Sequence, residues 1–566
     1  MFRFSNFQIS SRTFAALAFV LMVVGCSCVE TFADDYGVAG RAVGEPDVLV
    51  VCPKRFQPAL KKWIEYRTEQ GHSIRLLSPA PTSAGVKDQI LKIATGGTLK
   101  HVFLVGDSGD SLAQHGDLVP TDYVAAKVNL LFGSEPEIAT DHTYVDFDQD
   151  GIQDLSIGRL PVDSIAEVEQ FTERVIKYEA DQSDDQQWRR RINLVAGVGG
   201  FGRVIDGLIE QTTKQMITDL IPAGYETKMT YGSWSSPYCP DPRQFSDSSI
   251  ERFNEGCLFW VYIGHGNRHC LDKVFMPDQS HEILNSQTVS KLNCRAGNPI
   301  AIFLACYTGA NDDPDDCLAE TMLRQEKGPI AAICGTRVTM PYAMSLLSLE
   351  MVHEFFEGEA QTLGQLMMLA KRRMVNGSDN NQEYRDLIEG MGKTFNPLPG
   401  MLKDERLEHV QLIHLVGDPL LRLKRPETIE LHSPQRATQG ERIEIEGVVG
   451  SPGIVTIELA YQRDRLRYRP QRRKDYDSGE LSFAQYQKTY EEAQKLVWTT
   501  QTINVKKPGA FKTEIVVPSN ISGRCVVRAV LNSNSQFAIG SSLIRVDRDA
   551  SLRNARSESI KVSPTR

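Results

Sequence analysis

Short apolar runs bounded by turn residues alternate with amphipathic stretches through the first three quarters of the chain. DVLVVCP, HSIRLL and HVFLVGD are such runs, and between them residues 58–70 place Leu60, Ile64 and Arg67 at helical spacing, a pattern that VKDQILKIA repeats. Strands without a polar face alternating with helices predict a parallel sheet with crossover helices. This first α/β sub-domain spans residues 47–185. Ser164 and Glu167 form a capping box ahead of Val168, Phe171 and Val175, and the polar stretch ADQSDDQQWRRR links onward. A second α/β sub-domain, 186–425, carries the buried strands INLVAGV, CLFWVYIGHGN, PIAIFLACYTG and GPIAAICGTRV and ends in HLVGDPLLRL.

From about Pro426 the period changes. IELHS, RIEIEGVV, IVTIELAY, TTQTINV, FKTEIVV, CVVRAVL and SSLIRV predict a β-sandwich over 426–547. A charged, partly helical insert, RDRLRYRPQRRKDYDSGELSFAQYQKTYEEAQKL, separates its third and fourth strands. It is expected to be solvated, its acidic half balancing a basic half that would otherwise suit an anionic polymer. Residues 548–566 form a polar tail.

The first 33 residues read as a targeting segment: Arg3 and Arg12 precede an apolar run from Phe14 to Val24 that is short for a membrane span. Val23-Val24-Gly25-Cys26 is similar to a lipoprotein box with Cys26 as the anchor, and Thr31-Phe32-Ala33 offers an ordinary cleavage site. Export to the periplasm, cell surface or medium is expected either way. The 566 residues are 41% hydrophobic and carry a formal charge of −9, which argues against nucleic acid as the main partner. Of the 11 cysteines, nine lie beyond the leader, an odd number that implies a free thiol. No His/Cys cluster has zinc spacing, no organic cofactor is indicated, and the oligomeric state is not encoded in any pattern.

Two buried runs end in chemistry. One stops at Gly264-His265-Gly266, the other at Ala305-Cys306. In open α/β sheets the ligand crevice lies outside the carboxyl ends of the strands, so this His and Cys can meet as base and nucleophile. Cys334 also ends a buried strand but lacks a His-Gly partner in the right order, and the sequence neighbours His269 and Cys270 need not face one another. Gly197, Gly199 and Gly202 have the spacing of a dinucleotide fingerprint, but the next strand, ETKMTYGSW, ends without an acid, leaving a tight turn. Asp107-Ser108-Gly109 reads as a strand end. In TDHTYVDFDQDGIQD, Asp146, Asp148, Asp150 and Asp154 occupy positions one, three, five and nine of a calcium-type loop, with Gly151 at six and Ile157 where an EF-hand has Glu. A structural Ca2+ site and a solvated acidic loop both fit.

The His-Gly and Ala-Cys pair resembles the caspase-like cysteine peptidases. The run from Thr140 to Pro161, CLAETML followed by GPIAAICGTR, and the terminal LVGDPLLRL resemble the gingipain family more narrowly, in the expected order between Val48 and Leu423. The resemblance implies a caspase-like catalytic unit of two α/β sub-domains, an immunoglobulin-like sandwich after it, and a cysteine endopeptidase acting on proteins or peptides. Cys306 would form a thioester acyl-enzyme, with His265 as general acid and base and the N–H groups of Gly266 and Cys306 as oxyanion donors. The family has an acid upstream of its His: Asp206 is the choice, with Glu210 one turn later competing. Cleavage after basic residues is an option if Asp312, Asp313, Asp315 or Asp316 reaches the specificity pocket, although these acids also suit a loop capping the next helix. A sorting enzyme or transpeptidase of the same fold and a silent surface adhesion protein remain as alternatives.

Overall fold

The computed structural model describes residues 45–549, apart from 109–116, 181–184, 199, 201–202, 378–379, 472, 474–475 and 534–535. The leader, Cys26 and nearly all of the tail lie outside the described residues, as do Gly199 and Gly202.

The first half contributes β1 (Val48–Val51), α1 (Lys61–Glu69), β2 (Ile74–Leu77), α2 (Ser83–Ala94), β3 (His101–Val105), the hairpin β4 (Asp122–Ala125) and β5 (Glu137–Thr140), β6 (Ser156–Leu160) and α3 (Ile165–Ala180). The second half supplies β7 (Arg191–Ala196), α4 (Arg203–Leu220), β8 (Glu226–Tyr231), α5 (Phe245–Asn254), β9 (Phe259–Ile263) and the hairpin β10 (Lys273–Phe275) and β11 (Ser280–Glu282). It continues through β12 (Ile300–Leu304), α6 (Leu318–Arg324), β13 (Ala331–Gly335), α7 (Pro341–Phe356), α8 (Leu363–Asn376), α9 (Gln382–Phe395), α10 (Leu402–Leu412) and β14 (Ile413–Val416).

The two expected parallel sheets are halves of one ten-stranded sheet, ordered β2-β1-β3-β6-β14-β13-β12-β9-β7-β8. All neighbours are parallel except β13 and β14. β14 therefore splices the halves, parallel to β6 on one side and antiparallel to β13 on the other. Core strands such as β1 are buried on both faces, as a sheet covered by helices requires. Side chains cap several helix starts. Thr82 Oγ1 accepts from Gly85 N–H ahead of α2, and Thr362 with Gln365 forms a capping box on α8. Of the Ser164 box, Ser164 Oγ accepts from Glu167 N–H, but the Glu167 carboxylate takes the Asp163 N–H instead.

One buried polar network ties the start of the first half to the end of the second. Arg67 on α1, fully buried, is held by Glu179 Oε2 at 2.9 Å and by Asp418 Oδ2 at 2.7 Å, and Trp63 Nε1 donates to the same Asp418 oxygen at 2.6 Å.

The C-terminal part contains β15 (Glu427–Thr428), β16 (Glu430–His432), β17 (Arg436–Thr438), β18 (Arg442–Val449), β19 (Gly453–Tyr461), α11 (Glu480–Ala493), β20 (Val497–Val505), β21 (Gly509–Val516), β22 (Gly523–Asn532) and β23 (Phe537–Asp547). One sheet runs β15-β23-β22-β19-β20 with β17 on β23, and the other β16-β18-β21. Here the alternation is strict: Ile443 and Ile445 point inward while Glu444 and Glu446 are exposed.

The insert departs from its expected solvation. Arg463 donates to the carbonyls of Ile221, Pro222 and Tyr225 at the end of α4, and Arg473 to those of Trp234 and Ser236. Gln494 pairs its side-chain amide with Met229 N and O, capping the exposed edge of β8 as another strand would. Two of its arginines and Gln494 thus clasp the α/β half, because the chain after α4, the loop after β8 and the open edge of β8 offer backbone groups that water would otherwise meet.

Candidate active site

β9 and β12 are adjacent and parallel, with Ile263 opposite Leu304. His265 and Cys306 each follow two residues later, so equal register brings them out side by side at the carboxyl edge of the sheet. Gly266 seals this meeting: a Cβ there would lie 2.8 Å from the Cys306 carbonyl oxygen and 3.0 Å from Ala305 Cβ and Thr308 Cγ2. The histidine's turn is fixed through its backbone. Its carbonyl accepts from the Tyr262 hydroxyl at 2.8 Å and from Asp272 N–H at 3.1 Å, while the residue itself is exposed. A Cβ on Gly200 would stand 3.8 Å from His265 Nε2, so the backbone at Gly200 passes beside the imidazole.

Cys306 is partly exposed. Its Sγ accepts the Thr339 backbone N–H at 3.2 Å and lies 3.6 Å from Thr339 Oγ1, in the loop that follows β13. Cys334 is placed differently. It is wholly buried, and a Cβ on Gly309 would come within 2.3 Å of its sulfur, so the chain leaving Cys306 covers it. Burial pushes the Cys334 thiol well above its ordinary range, the opposite of what a nucleophile needs. Among the described residues all nine cysteines are free thiols.

A charged rim surrounds the pair. Tyr307, at φ +57°, turns its hydroxyl to Glu135 Oε2 at 2.8 Å, and Arg268 stacks 4.7 Å over its ring. Arg268 also pairs with Glu135 Oε1 and with Asp313 Oδ2, both at 2.5 Å. Burial alone would raise the Glu135 carboxyl, but bonds from Tyr307, its own backbone N–H and Arg268, with Arg337 nearby, outweigh it and bring it down to about 2. Arg337, 3% exposed, is gripped by Asp312, and Asp316 pairs with Arg324 at 2.9 Å. Three of the four acids that follow the nucleophile are thus occupied by arginines, and Asp315 is exposed. Sequence reasoning missed Glu135, Arg268, Arg337 and Thr339. Arg268, three residues after His265, was the one with a positional hint.

Of the candidates for a third residue, the Asp206 side chain lies outside the described residues. Glu210 is engaged by Lys214 and receives the Tyr231 hydroxyl at 3.4 Å.

In the acidic loop, carboxylate oxygens of Asp146, Asp148 and Asp154 lie within 4.8 Å of one another. Gly151, at φ +85°, makes the turn that lets its N–H reach Asp146 Oδ2. Asp150 is not one of the three, and its Oδ1 accepts from Ile152 N–H at 2.8 Å. Asp146 is 6% exposed and its Oδ1 is buried without a hydrogen-bond partner. Burial, opposed by the Gly151 N–H but aided by Asp150 and Asp148, lifts its carboxyl above the ordinary value.

Comparison with known proteins agrees with this architecture. Gingipain R2 of Porphyromonas gingivalis is 22% identical over 301 residues, covering 51% of this chain and 36% of that protein. Gingipain R1 of the same species is 22% identical over 301 residues, covering 51% of this chain and 27% of that protein. The chain thus aligns with about a third of the length of these curated relatives. The crystal structure of the Arg-specific cysteine proteinase gingipain R superposes with a TM-score of 0.51 at 17% identity, covering 89% of this chain and 98% of that one. A complex of the P. gingivalis RgpB pro- and mature domains gives 0.50 at 16% identity, with 88% and 100% covered. These likenesses establish a shared fold. The profile of peptidase family C25 matches residues 41–424. With that match extending over more than half of its length, the chain belongs to peptidase family C25.

Proposed function

We propose that this chain is an exported cysteine endopeptidase in which Cys306 is the nucleophile and His265 the general acid and base. The observation that carries the reading is the close approach of the two strand ends, with Gly266 against the Cys306 carbonyl and a backbone N–H aimed at the sulfur. The thiolate is the form that attacks, and the Thr339 N–H is a backbone donor directed at the sulfur. In this reading the thiolate adds to the scissile carbonyl and the C–N bond breaks as the imidazole protonates the leaving amine. Water, deprotonated by the same imidazole, then cleaves the thioester. The N–H groups of Gly266 and Cys306 hold the oxyanion, each such donor being worth ~2.7–4 kcal/mol. Asp206 is the proposed orienting acid. The substrates are proteins or peptides, and the leader read at residues 1–33 directs the chain out of the cytoplasm, with Cys26 as a lipid anchor if the lipoprotein box is used.

A structural Ca2+ is proposed at Asp146, Asp148 and Asp154, with Asp150 joining by rotation of its side chain. The buried, unpartnered Asp146 Oδ1 supports this, since a hard cation is the partner that a cluster of carboxylates lacks.

Incubation of the mature protein with a library of acyloxymethyl ketone probes tests the site. Labelling should disappear in Cys306→Ala, fall steeply in His265→Ala and persist in Cys334→Ala. Labelling that survives in Cys306→Ala would sink the assignment.

A further inference from the structure

In many thiol enzymes the nucleophile sits at a helix N-terminus, whose N–H groups stabilise the thiolate. Here the chain turns after Cys306 and α6 begins only at Leu318, so the sulfur's charge must be met elsewhere. The donor in place is the Thr339 N–H, 3.2 Å from Sγ. The Thr339 N–H shares one planar peptide with the Val338 carbonyl, so its direction is set by what holds that carbonyl and by what holds the peptide that follows. Within that peptide, Val338 O accepts from Asn129 Nδ2 at 2.7 Å. In the next peptide, Met340 N–H donates to His409 Nε2 at 2.7 Å.

His409 lies on α10 with no exposed surface, and its Nδ1 is 2.7 Å from the Glu405 carbonyl one turn back. A carbonyl only accepts and a backbone N–H only donates. Nδ1 therefore carries the hydrogen and Nε2 the lone pair, so both partners together fix one neutral tautomer. Burial reinforces this by pushing the imidazole down to about 4.

We infer that His409 is a positioning residue: by accepting the Met340 N–H it aims the neighbouring Thr339 N–H at the Cys306 sulfur. Asn129, from the first half, holds the carbonyl end of the peptide that carries this N–H, and His409 holds the peptide after it. The inference rests on Cys306 being the nucleophile.

The test uses the full mature chain and four variants: His409→Phe, which fills the ring's space without a lone pair; His409→Gln, which keeps an acceptor; Asn129→Leu; and Thr339→Val, which removes the hydroxyl and keeps the N–H. The rate constant for alkylation of Cys306 by iodoacetamide is measured at pH 7, with Cys306→Ala as background, beside kcat and KM on a peptide substrate. Losing a hydrogen bond to a charged sulfur should slow alkylation and kcat about ten- to a hundredfold in His409→Phe while KM stays nearly fixed. His409→Gln should recover to within about threefold of wild type, and Thr339→Val should match wild type. A folded His409→Phe that alkylates at the wild-type rate overturns the inference, as does a Thr339→Val that loses as much as His409→Phe. If His409→Phe fails to fold, Asn129→Leu must slow the same rate or the inference falls. Alkylation as fast in Cys306→Ala as in wild type would instead remove the nucleophile assignment itself.

Discussion

Asp312 grips the Arg337 guanidinium with both carboxylate oxygens, Oδ1 at 2.8 Å from Nη1 and Oδ2 at 2.6 Å from Nη2. The pair joins the loop that leaves Cys306 to the loop that carries Thr339, so it belongs to the scaffold of the site. Asp312→Asn should leave a buried cation short of its counter-charge and cost about 3–5 kcal/mol in urea unfolding. The preference of residual activity for the residue before the scissile bond should not change. A selective loss of cleavage after Lys or Arg, with stability intact, would show that Asp312 reads the substrate instead.

Gly266→Ala should be far more damaging to turnover than to folding. The added methyl would meet a backbone carbonyl at 2.8 Å, and that atom cannot move without shifting Cys306. Overpacking of this kind costs about 1–3 kcal/mol of stability. Displacing an oxyanion donor costs roughly a hundredfold or more in kcat. Steady-state kinetics beside a thermal melt separates the two. Wild-type kcat in a folded variant would argue that the strand ends have more freedom than their packing implies.

Calcium should raise the melting temperature, and chelation should lower it. A site occupied at a hundred times its dissociation constant adds about 2.7 kcal/mol. Asp146→Asn and Asp154→Asn should each abolish the calcium-dependent shift, and Mg2+ should give a smaller one, because its octahedral shell suits this loop poorly. Identical melting curves in Ca2+ and in chelator would leave the loop as a hydrogen-bonded turn.

Acid should weaken the fold through buried histidines. Burial lowers His101, with His72 adding, and lowers His409 and His414, each to about 4. All three are neutral in the folded chain but take a proton near pH 6.5 when unfolded. Their contribution is complete above that pH and is lost as pH falls toward about 4, by up to about 3 kcal/mol per histidine. Asp107 and Glu320, raised by burial, titrate in the opposite sense. The decisive comparison is therefore between wild type and His101→Gln, whose stability should fall less steeply between pH 6.5 and 5. Equal slopes would show that His101 does not titrate on unfolding.

The alternation of buried strands and helices was legible because each core strand is apolar on both faces. His265 and Cys306 stood out because each ends such a strand, and equal register does the rest. What escaped was long-range or anonymous. HLV in β14 is an apolar run like any other, and nothing in it announces that it pairs antiparallel with β13. The insert looked solvated because arginines that bind carbonyls have the same composition as arginines that bind water. The Thr339 donor is a backbone N–H, which almost any residue supplies, so no side-chain pattern could reveal it. Asp206 and Glu210 lie a helical turn apart, and spacing alone does not choose between them.

The bonds from Arg67 and Trp63 to Asp418 reach across 351 and 355 positions of the chain. During synthesis the amino-terminal half therefore emerges long before the carboxylate that completes its core. The Cys306 thiol and the His265 imidazole are both produced before that last partner arrives. Completion of the α/β core is thus timed by its own end, and a chain stopped short of residue 418 would carry both His265 and Cys306 yet lack the carboxylate that anchors Arg67 and Trp63.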